Sequence, residues 1–181
     1  IRRATRLIKE HREAGRQVQV VSLGKKANST LRFLGVATDA AHQGLMDSPQ
    51  YTDAVAVITD YLQAFEAGEL DQVDVVYSRF VSAAVQNPDT TTILPAGGER
   101  AADEEAAESE TDFIYHPDPA TLLEQLIPQT VKTAFFSTLL QTSAGEHAAR
   151  RVAMKNATDA AGDLIKSLSR SYNRGRPAKI T

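Results

Sequence analysis

Residues 130–181 read TVKTAFFSTLLQTSAGEHAARRVAMKNATDAAGDLIKSLSRSYNRGRPAKIT, and this stretch decides the architecture. Its interior breakers are Gly145, Gly162 and the pair Gly175 with Pro177, so the spacing predicts one very long helix starting at about residue 129. At ~1.5 Å per residue such a helix extends on the order of 70 Å, far beyond what a domain of this size can cover. Read in sevens, His147, Met154, Ala161 and Leu168 fall at one recurrent position, and Arg150, Ala157, Leu164 and Ser171 at the other. Phe136, Leu140 and Ala144 extend the stripe upstream, while Ile165 and Tyr172 widen it. This is half of a coiled-coil seam, rich in Ala and interrupted by Arg and Ser. A helix of this length stays ordered in water only when its stripe is buried against another helix. The partner is a segment upstream of Ile1, a second copy of the chain, or a separate subunit.

Working backward, Pro119 begins the helical region of residues 119–181, and Pro128 is expected to separate a short helix from the long one. Residues 1–118 read as an α/β globular domain. Ile1, Ala4, Leu7, Ile8 and Ala14 give a helix closed by Gly15. No cap residue precedes Ile1, so the natural protein is expected to continue upstream. Gln17 to Leu23 reads as a strand, Lys25 to Leu34 as a short helix, and Val36 to Ala41 as a possible short strand. Pro49 opens an amphipathic helix to Ala67 whose buried face is expected to be Val55, Ile58, Leu62 and Phe65. Gln72 to Tyr77 and Thr90 to Leu94 follow as strands, the latter bounded by Pro88 and Pro95. Alternation of strands and helices predicts a Rossmann-like layer with a mostly parallel sheet. Residues 96–110 form an acidic, flexible loop, and Thr111 to His116 a further strand.

The chain holds 181 residues, 42% of them apolar, enough for one core, with a net charge of -3. Between Glu99 and Asp112 seven acidic residues face one Arg, whereas from Arg150 to Lys179 eight basic residues face two acidic ones. The overall balance gives no reason for nucleic acid or an anionic membrane as a bulk partner. There is no cysteine, which excludes disulfides and thiolate chemistry. No run approaches the ~18 apolar residues of a membrane span. Gly24, Lys25 and Lys26 follow a strand without the second glycine and Ser or Thr of a phosphate loop. His11, His42, His116 and His147 share no metal-ligand spacing, and no nucleophile signature occurs. No cofactor and no catalytic residue is assigned.

The run Glu146, His147, Ala148, Ala149, Arg150, then Ala153, Met154, Ala157 and Thr158, then Leu164 and Ile165, and finally Tyr172, Asn173, Arg176, Ala178, Ile180 and Thr181 resembles the carboxyl-terminal helix of the ATP synthase gamma subunit family. Leu7-Ile8-Lys9, Gly24-Lys25-Lys26, Pro49-Gln50-Tyr51 and Val76 to Ala83 are similar in order as well. The resemblance implies a non-catalytic central stalk, or rotor, of a proton-translocating rotary ATP synthase. Its long helix would pair with an amino-terminal helix of the same protein that these residues lack. It implies as partners the alpha and beta subunits of the catalytic head, the epsilon subunit and the membrane c-ring, with no nucleic acid and no direct insertion into the membrane. It also implies a location peripheral to the energy-coupling membrane, on the cytoplasmic face in bacteria. By position, Arg150, Asn156, Thr158, Asp159, Tyr172, Asn173 and Arg176 would contact the catalytic ring, and His147, Met154, Ala157, Ala161, Leu164 and Leu168 would form the seam. Asn156, Thr158 and Asp159 fit equally well as makers of local helix-side hydrogen bonds. Pro177, where the family tends to have Gln, is a departure that would bend the tip, and family members usually continue past Thr181. Two other readings are an α/β enzyme, which needs a pocket with perturbed titratable groups, and an adaptor that binds nucleic acid through the basic helix.

Overall fold

The computed structural model describes residues 1–97 and 118–178. The chain runs α1 (Arg2–Glu13), β1 (Val21–Leu23), α2 (Lys25–Phe33), β2 (Ala40–His42), α3 (Tyr51–Glu66), β3 (Val73–Phe80), β4 (Gln86–Leu94) and α4 (Pro119–Ala178). The expected strand at residues 111–116 and nearly all of the acidic loop lie outside the described residues.

β1, α2 and β2 form a parallel unit in which Val21, Ser22 and Leu23 face Ala40, Ala41 and His42. Gly24 (φ 99°) makes the turn from strand to helix, and its N–H donates to the His42 carbonyl at 2.8 Å. The amide that a phosphate loop would offer to a ligand is therefore spent on the sheet. β3 and β4 pair antiparallel, from Val73 opposite Leu94 to Phe80 opposite Gln86. The parallel pairing anticipated from alternation is thus realised in the first pair of strands. In the second pair the connection spans only residues 81–85, too short for the crossover that a parallel pair requires. β4 also starts earlier than its apolar residues indicate. It runs through Pro88, which lies opposite Ser78 and needs no donor of its own there.

Asp118 caps α4, its carboxylate accepting from the Thr121 N–H (3.2 Å) and hydroxyl (2.7 Å), with Pro119 in the first turn, where a missing N–H costs nothing. The helix then passes straight through Pro128 instead of breaking. A proline inside a helix costs about 3 kcal/mol. Glu124, whose carbonyl loses its donor, is exposed to water. The burial of Val131 (1% exposed), Phe135 (4%) and Leu139 (3%) immediately downstream outweighs the break, each contributing about 1.5–3 kcal/mol.

Those three residues and Ala54, Val57, Ile58 and Leu62 of α3 close over Ile93 and Leu94 of β4 to form the main core. Phe136 meets Tyr51 edge to face at 5.5 Å. Of the face expected on α3, Ile58 and Leu62 are buried, while Val55 and Phe65 are half-buried. Ala54 and Val57 take their place, because the contact lies along the line where α4 crosses and a small residue permits close approach. A smaller cluster, Val20, Leu31 and Val36, underlies α1, no residue of which is fully buried.

The two halves of α4 differ in what they contribute to stability. Phe135→Ala is expected to lower the unfolding free energy by about 3–5 kcal/mol in urea titrations, whereas Leu168→Ala, at an exposed position, should change it by less than about 0.5 kcal/mol. Tyr61 titrates above the ordinary 10.0, first because burial disfavours the phenolate and then because Asp60 and Asp39 lie near. Its contribution is present below pH ~10 and lost as pH rises through the raised value. Absorbance titration should therefore show a phenolate component appearing above the ordinary range that Tyr61→Phe deletes.

Candidate functional site: the projecting rod

At ~1.5 Å per residue α4 is about 90 Å long, and it falls into two parts. From Val131 to Gly145 it lies on α3 and the β3–β4 hairpin, while Leu123, Leu126 and Ile127 in its first turns are exposed. From Glu146 to Arg176, about 45 Å, every residue is exposed except Ala148 and Gly162, which are half-buried. Met154 (65%), Leu164 (60%), Ile165 (64%), Leu168 (60%) and Tyr172 (71%) all face solvent. With Ala157 and Ala161 between them, the steps are three and four residues, so these side chains fall on one edge of the helix. The terminal third neither folds back nor breaks into short helices. A contiguous exposed apolar edge of this extent is the kind of surface that interaction sites present.

Each residue singled out in the sequence has a definite place. His147 stands at the root of the rod, its Nε2 3.4 Å from the Asp47 carbonyl, so it turns toward the globular part. Arg150 is half-exposed and donates to Glu146 at 2.7 Å, one turn back. The Thr158 hydroxyl donates to the Met154 carbonyl at 2.9 Å, a local helix-side bond. Asn156, Asp159, Asn173 and Arg176 are exposed along the rod. Met154, Ala157, Ala161, Leu164 and Leu168 are brought into line, but nothing within the described residues covers them.

Two concavities among the described residues are open to solvent: one of about 410 Å³ between α1 and residues 34–36, and one of about 370 Å³ lined by Asn28, Arg32, Ala37 and Thr38. No group of three or more metal-ligating side chains occurs among the described residues, and no described helix is long and apolar enough to cross a membrane. Sequence reading missed an ionic cluster on β3 and β4. Asp74 accepts from the Gln72 amide (2.9 and 2.8 Å) and the Thr92 hydroxyl (2.7 Å), and lies 3.3 Å from His11 Nε2 of α1. Asp89 lies 3.7 Å from both Arg3 and Arg79. The two sites tie α1 to the hairpin. The partners are 63 and 86 residues apart in the chain, so no local spacing signals them.

Comparison with known proteins agrees with this geometry. The ATP synthase family model matches residues 1–181. A gamma chain from Leptospira biflexa is 40% identical over 174 residues, covering 96% of this chain and 60% of its own length. That of Rubrobacter xylanophilus is 38% identical over 179 residues, covering 97% and 61%. The chain therefore spans about three-fifths of the length of these curated relatives. Among solved structures, the rotor of the Euglena gracilis mitochondrial ATP synthase superposes with a TM-score of 0.56 at 18% identity, covering 98% of this chain and 69% of that one. The central stalk and c-ring structure of the Tetrahymena thermophila mitochondrial enzyme gives 0.57 at 21%, covering 84% and 66%. At those identities the structural likeness speaks for the fold. With the family match running the whole length and gamma chains aligning over nearly all of it at 38 to 40% identity, the chain belongs to the ATP synthase gamma chain family.

Proposed function

We propose that this chain serves as the central stalk of a proton-translocating rotary ATP synthase, turning with the membrane c-ring and transmitting torque to the catalytic head without performing bond chemistry itself. The observation that supports this reading is the uncovered apolar edge from Met154 to Tyr172 on a rod anchored at one end in a folded body. An amino-terminal helix of the same protein lies along that edge and completes a two-stranded shaft. Residues 1–118 form the base, beside the epsilon subunit and the c-ring, on the cytoplasmic face of the membrane in a bacterium. The remaining faces of the rod press on the alpha and beta subunits.

Torque acts here as differential contact. A shaft shifts the conformational populations of a catalytic site only as far as its contacts with the alternative states differ in free energy. Arg150 and Arg176 are the contacts proposed for acidic residues of the ring, with Asn156, Thr158, Asp159, Tyr172 and Asn173 as further contacts. The pair Arg150–Glu146 is a surface pair one turn apart, worth about 0.3–0.5 kcal/mol, so Arg150 changes partner at small cost as the shaft turns. His147, Met154, Ala157, Ala161, Leu164 and Leu168 pack in the seam, where small residues allow close approach and stiffness.

The test is assembly of the full-length chain with alpha, beta and epsilon subunits. Co-purification at one copy per head is expected. Leu164→Asp together with Leu168→Asp should cut the yield of assembled complex at least tenfold. Failure of the unmodified chain to enter the assembly removes the proposal.

A further inference from the structure

The interface of α4 changes character along its length. Val131, Phe135 and Leu139 make an apolar contact, which is non-directional. From Thr138 to Gly145, about two turns, the buried residues other than Leu139 are Thr138 (4% exposed), Ser143 (6%) and Gly145, and the contacts become directional. The Thr142 hydroxyl accepts the Ser78 N–H at 3.3 Å and donates to the Thr138 carbonyl at 2.9 Å, so its one proton and one acceptor site are both committed. At Gly145 a Cβ would stand 3.2 Å from Gln86 Cγ and 3.7 Å from Ser78 Oγ. Gln86 is itself held, since its amide donates to the Ser82 and Ala83 carbonyls at 3.0 Å each, closing the hairpin turn. Half a turn beyond, His147 Nε2 reaches the carbonyl of Asp47, in the segment before α3. The rod thus leaves the globular part through a bracket whose contacts come from two separate parts of the chain.

We infer that Ser78, Gln86, Thr142, Gly145 and His147 form the joint that fixes the direction and the rotational setting of the free rod relative to the folded body. Apolar packing upstream holds α4 in place, and the bracket decides where its far end points. A helix loaded about its own axis turns within a greasy contact, but it does not turn without breaking a hydrogen bond or driving Gly145 into Gln86. Gly145 costs about 1 kcal/mol of helix propensity, which an Ala there would recover, and the close approach of the hairpin is what that cost permits. The consequence for torque rests on the central-stalk reading. The geometry of the joint does not.

Because the chain has no cysteine, two can be introduced and spin-labelled without background, at Gln63 on α3 and Lys166 on the rod. Both are exposed. Pulsed dipolar spectroscopy on the full chain then reads the distance between rod and body. Lys166 lies about 30 Å beyond Gly145, and Leu139 about 9 Å before it, so half an ångström of displacement at the bracket becomes a shift on the order of 2 Å. Gly145→Leu, which keeps a strong helix former, should shift the mean distance by that amount. Gln86→Ala should broaden the distribution, and the pair together should return it toward the original, because the new side chain fills the vacated space. Thr142→Val, a conservative change that leaves the core untouched, should also broaden it. Unchanged distances in Gly145→Leu and Thr142→Val, or effects of Gly145→Leu and Gln86→Ala that simply add, would overturn the inference. A chain that does not assemble with catalytic subunits would defeat the central-stalk reading and leave these distances to judge the joint.

Discussion

The packing of Val131, Phe135 and Leu139 against Ala54, Ile58 and Leu62 is the contact on which the rest of the structure depends. It seats one end of a 60-residue helix on a small body, and it lets the helix run through Pro128 despite the lost backbone bond. Without it α4 would be a long amphipathic segment with no fixed point. Helices in proteins are held mainly by the burial of one face, not by propensity. The second half of α4 meets that condition only when a partner covers its edge.

The body and the rod are built on different principles. The body buries small apolar clusters beneath three helices and two strand pairs, and ties α1 to the hairpin through Asp74 and Asp89. The rod keeps large apolar groups in the open and spreads basic residues around them. An exposed apolar edge of this size is a liability in an isolated chain. Among the described residues two concavities are open to solvent, and the Gly24 amide is committed to β2. The transition from apolar to directional contacts between Leu139 and His147 is where the two parts of the molecule are joined.

The apolar edge of the rod was legible in the sequence because its signal is local and periodic. Steps of three and four residues from Met154 to Leu168 fix one edge of a helix whatever surrounds it. The same holds for the strand, glycine and helix at Leu23 to Lys25, where positive φ suits only Gly. Other features were not legible. Val55 and Phe65 are as apolar as Ile58 and Leu62, and only the line of contact with α4 decides which are fully covered. The joint was hidden for another reason: Ser78, Gln86, Thr142 and Gly145 carry no motif, and they acquire a role only when residues 64 apart in the chain meet.

The sequence by itself determined the long helix, its apolar edge and the order of strands and helices, since each depends on composition and spacing along the chain, and the family through the resemblance of its terminal run of residues. Tertiary structure alone decided that β3 and β4 run antiparallel, that Pro128 leaves α4 unbroken, and that burial ends at Gly145. Those outcomes turn on connection length and on the free energy of contacts between distant segments, and neither quantity is written in any local stretch of residues.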